Sequence, residues 1–161
     1  MTLAAETTGV DQTRALAASV AEVARSGDVV LLVGELGAGK TAFAQGFAAG
    51  LGVTEAVTSP TFTLVRTYTG RVRLHHVDVY RLENLQEALD LGLAEMVDED
   101  AVTLVEWGDA VAPTLPPDFL EVSLAYGADD DRRTVALRVV GRRWSARAEV
   151  LAKALSEWAV A

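Results

Sequence analysis

The sequence predicts a three-layer α/β fold on a mixed parallel and antiparallel sheet, from three observations. Asp28 to Val33 and Ala101 to Val105 are short, nearly unbroken apolar runs, the pattern of strands covered on both faces. The first run enters a glycine-rich turn and then Lys40 to Leu51, where Phe43, Phe47 and Leu51 fall at helical spacing; strand, turn and helix form the opening unit of an α/β domain. Two further stretches, 62–79 and 119–140, alternate like hairpins and add antiparallel strands. With 161 residues and neither linker nor repeat, the chain reads as a single domain over 1–161.

Each element has its own signal. Residues 11–26 read as a helix: Asp11 is the N-cap candidate, Leu16, Val20 and Val23 share a face, and Gly27 is the stop. The 28–33 strand and the 40–51 helix follow. Residues 62–68 and 71–79 are strands joined through Thr69-Gly70, with Thr63, Val65, Thr67 and Val72, Leu74, His76 alternating. Residues 84–97 read as helical. Ala101 to Val105 is the second buried strand and ends at Glu106. Pro113, Pro116 and Pro117 mark a loop. Residues 119–126 and 134–140 form the second hairpin, with Asp129 to Asp131 at its exposed tip. Residues 143–158 close the chain as one amphipathic helix bearing Trp144, Val150 or Leu151, Leu155 and Trp158.

Composition narrows the function. Half of the residues are apolar and 23% are charged, which argues against a disordered chain. Acidic side chains outnumber basic ones 23 to 14, a net charge of −9; gripping nucleic acid or an anionic membrane directly needs clustered Lys and Arg instead. The absence of cysteine excludes disulfides, thiolate metal sites and a Cys nucleophile. Met1 to Glu6 lacks the basic start and apolar core of a signal peptide, and no apolar run suffices to span a bilayer; a cytoplasmic protein without membrane contact is expected. The charge is uneven. Residues 81–131 carry 1 basic and 14 acidic side chains, a solvated surface or an acidic docking face. Residues 132–161 carry 7 basic and 2 acidic ones, and Arg142, Arg143 and Arg147 around Trp144 are the place for contact with an acidic partner or tRNA.

The turn after the first buried strand reads Gly34-Glu35-Leu36-Gly37-Ala38-Gly39-Lys40-Thr41, which fits G-x-x-x-x-G-K-[ST], the P-loop. Glycines let successive N–H groups point into one concavity, and the following helix N-terminus adds positive potential for phosphate oxygens. Lys40, one of only two lysines, supplies a mobile charge for the outer phosphates, and the Thr41 hydroxyl is placed to ligate Mg²⁺. The cofactor-binding set is Gly34 to Thr41 with Ala42, and the fold expectation sharpens to a P-loop NTPase-like domain.

Such a site needs a carboxylate at a neighbouring strand end to organise Mg²⁺ or the attacking water. Glu106 ends its apolar strand like a Walker B acid, and Asp78 lies near the end of the strand Arg73 to Val79. Trp107 either lines the nucleotide site or packs at the strand end. Ser59-Pro60-Thr61 is either a γ-phosphate sensor, acting through Thr61, or an ordinary turn. His75 and His76 point to opposite faces of a strand and so do not share a metal; at least one is structural. The guanine-reading N-K-x-D and a D-x-x-G switch are both absent, so GTP preference has no support. A small-molecule kinase would use a basic lid, for which Arg81, Arg132-Arg133 and Arg142-Arg143 are the candidates.

The combination of this P-loop with Ser59-Pro60-Thr61-Phe62, His76-Val77-Asp78-Val79-Tyr80-Arg81-Leu82 and Val105-Glu106-Trp107 resembles the TsaE (YjeE) family. The resemblance covers residues 28–108 through motifs; Glu35 stands where many members have Asp, and the chain beyond Ala110 matches no sharp motif. The resemblance implies an ATPase that assists formation of N6-threonylcarbamoyladenosine beside the anticodon of tRNAs reading codons that start with A. The transfer itself belongs to a TsaB–TsaD complex, on which such proteins dock, so tRNA is met only indirectly. Lys40 would then neutralise β/γ-phosphate charge, Thr41 and Glu106 hold Mg²⁺, Asp78 position metal shell or water, and Thr61 sense the γ-phosphate. With no arginine finger obvious in the chain, hydrolysis alone should be slow. The alternatives are the kinase and a nucleotide-gated adaptor without turnover.

Overall fold

Alternation along each strand sorts the side chains of one seven-stranded sheet onto two faces in the computed structural model, which describes residues 1–35, 37–58, 60, 65–79, 86, 92–97 and 100–160. The strands are β1 (Thr2–Thr7), β2 (Val29–Gly34), β3 (Val65–Thr69), β4 (Arg73–Asp78), β5 (Ala101–Glu106), β6 (Phe119–Tyr126) and β7 (Arg133–Val140), in the order β1-β7-β6-β2-β5-β4-β3. β2 runs parallel to both β5 and β6, and β4 parallel to β5; the outer pairs β1–β7, β6–β7 and β3–β4 are antiparallel. The sheet is therefore mixed, with the apolar runs at its centre: all six residues of β5 are buried, as are the first four of β2.

On one face Val30, Leu32, Leu74, Val102, Leu104, Leu120, Val122 and Leu137 pack under α1 (Val10–Val23) and α2 (Lys40–Gly50). The opposite face carries Val29, Leu31, Val77, Val105 and Phe119, covered by α3 (Leu93–Met96) and the short turns around Val111 and Leu115. α1 and α2 lie unusually close. A Cβ on Gly46 would sit 2.2 Å from the Arg14 carbonyl oxygen, and one on Gly50 would sit 2.6 Å from that of Ala18. Only glycine permits this contact between helix backbones.

Several boundaries differ from expectation. β1 was not foreseen; its residues have weak strand preference, and its pairing with β7, from Thr2 with Arg138 to Thr7 with Arg133, supplies the stability. α1 begins one residue early, so Gly9 takes the cap and Asp11 sits in the first turn, paired with Arg14 at 3.2 Å. It ends at Val23, and Gly27 belongs instead to the turn into β2, its N–H donating to Ala101. In the first hairpin Thr67 is exposed, and the buried residue of β3 is Tyr68, opposite Leu74. Of the expected 84–97 helix, Gln86 and 92–97 are described, with α3 confined to Leu93–Met96; the remainder lies outside the described residues, as does the start of the 62–68 strand.

The C-terminal segment corrects the docking expectation. The single 143–158 helix is instead α4 (Arg142–Ser145), α5 (Ala148–Ala154) and a final turn Ser156–Trp158. Leu151 is the inward residue and Val150 is exposed. The break falls at Arg147, whose guanidinium is drawn inward to Asp28, a fully buried carboxylate at the foot of β2. Arg147 donates to both Asp28 oxygens at 2.6 and 2.7 Å, and Arg143 adds a contact at 3.2 Å. Trp144 is fully buried, with the Arg147 guanidinium over its ring at 4.5 Å. Two of the three arginines expected to meet a partner thus clamp the chain's end to its central strand, and only Arg142 stays exposed without such a tie.

Candidate nucleotide site

The loop between β2 and α2 has the conformation its glycines predict. Gly37 and Gly39 have φ of 82° and 113°, and a Cβ on Gly34 would meet the Leu124 carbonyl at 2.6 Å. The loop caps α2, with Phe43 N–H bonded to Gly39 at 2.9 Å, so the first turn of the helix points its remaining donors toward the loop. Lys40 and Ala42 are buried; Glu35, Gly37 and Thr41 are exposed. Leu36 lies outside the described residues, as do Ser59, Thr61, Phe62 and Tyr80 to Leu82.

Lys40 is 5% exposed and folded back on its own loop. Its ammonium donates to the Gly34 carbonyl at 2.5 Å and the Glu35 carbonyl at 2.9 Å, and lies 3.8 Å from the centre of the Trp107 ring. Burial lowers its pKa from the usual 10.5, opposed by the negative charges of Glu106, Asp78 and Asp109. Trp107 is the one non-glycine with positive φ, 63°, among the described residues. That left-handed turn directly after β5 brings the indole against the Lys40 ammonium.

The two expected carboxylates arrive together. β4 and β5 are parallel neighbours whose register pairs Asp78 with Glu106, placing both at the same strand end beside the loop. Glu106 is 3% exposed and its Oε2 lies 2.6 Å from His76 Nε2. His75 points to the other face and meets the Thr67 hydroxyl at 2.9 Å, which separates the two histidines as expected. Among the described residues no group of three His, Cys, Asp or Glu could cage a metal. A hydroxyl and a carboxylate beside a phosphate loop are instead the sparse, hard-oxygen donor set that suits Mg²⁺, which keeps waters and phosphate oxygens as its other ligands.

A cleft beside the loop has no signal in the sequence. It measures about 240 Å³ and is lined by Gly9, Val10 and Thr13 from the start of α1, by Gly37, Gly39 and Ala42, and by Asp130, Asp131 and Arg133. Arg133 Nε donates to the Ala38 carbonyl at 3.1 Å, and its guanidinium stacks on Tyr126 at 4.5 Å. The Arg132-Arg133 pair had been noticed only as a candidate lid. Arg132 is spent on Glu6 and Asp129, and Arg143 on Asp28; Arg81 lies outside the described residues. No other described arginine among the lid candidates contacts the loop. No described helix is long and apolar enough to cross a membrane.

The chain is similar to known proteins over most of its length. The profile of the family "Threonylcarbamoyl adenosine biosynthesis protein TsaE" matches residues 7–135. The tRNA threonylcarbamoyladenosine biosynthesis protein TsaE of Bacillus subtilis is 42% identical over 148 residues, 91% of this chain and 92% of that one. Its counterpart in Treponema pallidum is 48% identical over 118 residues, 73% of this chain and 87% of that one. The crystal structure of Bacillus subtilis YdiB superposes with a TM-score of 0.83 at 37% identity, covering 95% of both chains. On the family profile over residues 7–135 and relatives of this similarity and coverage, the chain belongs to the TsaE family.

Proposed function

We propose that this protein is a Mg²⁺-dependent ATPase that assists formation of N6-threonylcarbamoyladenosine in tRNA, working in the cytoplasm with TsaB- and TsaD-like proteins and meeting tRNA only through them. The observation that carries the chemistry is Lys40 of the P-loop lying in the field of Glu106 and Asp78 at adjacent strand ends. The tRNA pathway follows from the relatives.

In this mechanism the N–H groups of residues 37–41 cradle the phosphates. Lys40 exchanges the Gly34 and Glu35 carbonyls for β- and γ-phosphate oxygens. Thr41 and Glu106 would hold Mg²⁺, which supplies charge neutralisation at the leaving and transferred phosphates. Asp78 orients the water that attacks the γ-phosphate, and Thr61 senses that phosphate. The nucleoside lies in the cleft between the start of α1 and Arg133. Catalysis is positioning and electrostatics, without a covalent intermediate. Threonylcarbamoyl transfer takes place on the partners.

The test is ATP turnover with and without the cognate TsaB–TsaD pair. Slow turnover alone, stimulated by the pair and abolished by Lys40→Ala in a folded protein, is expected. Phosphorylation of an added acceptor would favour the kinase instead. ATP binding without turnover in the complete assembly would favour the adaptor.

A further inference from the structure

We infer that His76 is a positioning residue that fixes the Glu106 carboxylate in the orientation from which it serves the phosphate and metal side of the site. This rests on the Mg²⁺-ATP reading above. His76 and Glu106 lie on the α2 face of the sheet, since they share alternation with Leu74 and Leu104. The register pairs His76 with Leu104 and Asp78 with Glu106, so His76 and Glu106 are diagonal neighbours across β4 and β5. Their side chains are 1% and 4% exposed, and the Nε2–Oε2 distance of 2.6 Å is at the short end for a hydrogen bond to a carboxylate.

The surroundings settle which nitrogen donates. His76 Nδ1 is buried and has no hydrogen-bond partner among the described residues. A proton placed there would be stranded and would turn the Nε2 lone pair against Oε2. The proton therefore sits on Nε2, and the Nε2–H donates a hydrogen bond to the Glu106 carboxylate. One carboxylate oxygen is thus tied to β4, and the tie sets the direction in which Glu106 presents its charge. That direction matters because Glu106 acts on the Lys40 ammonium more strongly than Asp78 or Asp109. Loss of such a supporting hydrogen bond commonly weakens metal binding about 10- to 100-fold.

The experiment compares the full chain with His76→Leu, which keeps apolar volume without a donor, and His76→Gln, which keeps an N–H donor. Mg²⁺ is titrated against a non-hydrolysable ATP analogue, with affinity read by calorimetry, and a parallel series is run in chelator. His76→Leu should raise the Mg²⁺ needed for half of the affinity gain by about tenfold, and His76→Gln should restore it to within about threefold. Affinity in chelator should be the same in all three. In a Glu106→Gln background, His76→Leu should change nothing further. An unchanged Mg²⁺ requirement in His76→Leu, or an equal loss with Leu and Gln, overturns the inference. Should His76→Leu melt below the assay temperature, His76→Asn, whose shorter amide falls short of Glu106, makes the same comparison with Gln. A wild-type protein whose analogue affinity ignores Mg²⁺ sinks the Mg²⁺-ATP reading itself.

Discussion

Replacing Asp28 with Ala should loosen the C-terminal segment from the sheet while leaving the nucleotide site able to bind. Asp28 is 0% exposed and accepts from the Arg25 N–H at 2.7 Å, from Arg147 at 2.6 and 2.7 Å, and from Arg143 at 3.2 Å. Without the carboxylate, the guanidinium of buried Arg147 keeps only the Val23 and Arg143 carbonyls among its hydrogen bonds and no counter-charge. Breaking a buried pair in this way costs about 3–5 kcal/mol. At roughly 2–4 °C per kcal/mol for a chain of this size, Tm should fall by roughly 6–20 °C. Thermal unfolding followed by circular dichroism measures the fall. The double change Asp28→Leu, Arg147→Met removes both charges and should recover most of it. Below the melting temperature, ATP affinity should match the wild type, because Asp28 precedes β2 and the loop follows it, about 20 Å away along the strand. A fall of less than about 3 °C would refute the clamp. Lost ATP affinity in a folded variant would refute the separation of clamp from site.

Three further perturbations test other parts of the structure. Gly46→Ala ordinarily gains about 1 kcal/mol in a helix, but here its methyl meets the Arg14 backbone at 2.2 Å, so chemical denaturation should show a loss of about 1–3 kcal/mol instead; a gain would mean that α1 and α2 can part freely. Because burial lowers the Lys40 pKa, and only its charged form attracts phosphate, ATP affinity should weaken with rising pH before the usual lysine value of 10.5, and Lys40→Arg should remove that alkaline limb; affinity flat to pH 10.5 in the wild type would contradict it. The same shift makes the unfolded chain the better proton binder between the lowered value and 10.5, so Lys40's contribution to stability rises with pH across that window. On the proposed reading, a bound nucleotide would draw the ammonium away from Trp107, so ATP should change the protein's indole fluorescence, and Trp107→Phe should abolish the change while Trp158→Phe leaves it.

What was legible in the sequence depended on whether local residues carried the signal. β2, β5 and the loop were readable because unbroken apolar runs and fixed glycines leave few alternatives. β1 was invisible because Thr2–Thr7 has no strong pattern of its own and becomes a strand only against β7. The tail was misjudged for a related reason: Arg143 and Arg147 look like surface charge until Asp28, more than a hundred residues away, is found buried beneath them. Glu106 and Asp78 could be nominated from strand ends, but their adjacency rests on the β4–β5 register. Of His75 and His76 the sequence says only that at least one is structural, because nothing near His76 along the chain reveals the carboxylate on the next strand.

The sheet order explains why one half of the proposed nucleotide site is legible in the sequence and the other is not. β2 sits at the centre, with β5 and β4 on one side and β6 and β7 on the other. Toward β5 and β4 the loop meets Glu106, Asp78 and the Trp107 ring, the groups around the Lys40 ammonium. Toward β6 and β7 it meets Tyr126 and Arg133, and with the start of α1 these flank the open cleft. A nucleotide laid across β2 would thus have its charged end over a negatively lined strand pair, where Mg²⁺ and Lys40 offset the repulsion, and its uncharged end in a cleft built from chain segments about 120 residues apart. Phosphate chemistry demands particular residue types at particular spacings, and those can be read along a chain. A nucleoside cleft demands only shape, which arises when the first helix and the last hairpin fold to the same edge of the loop.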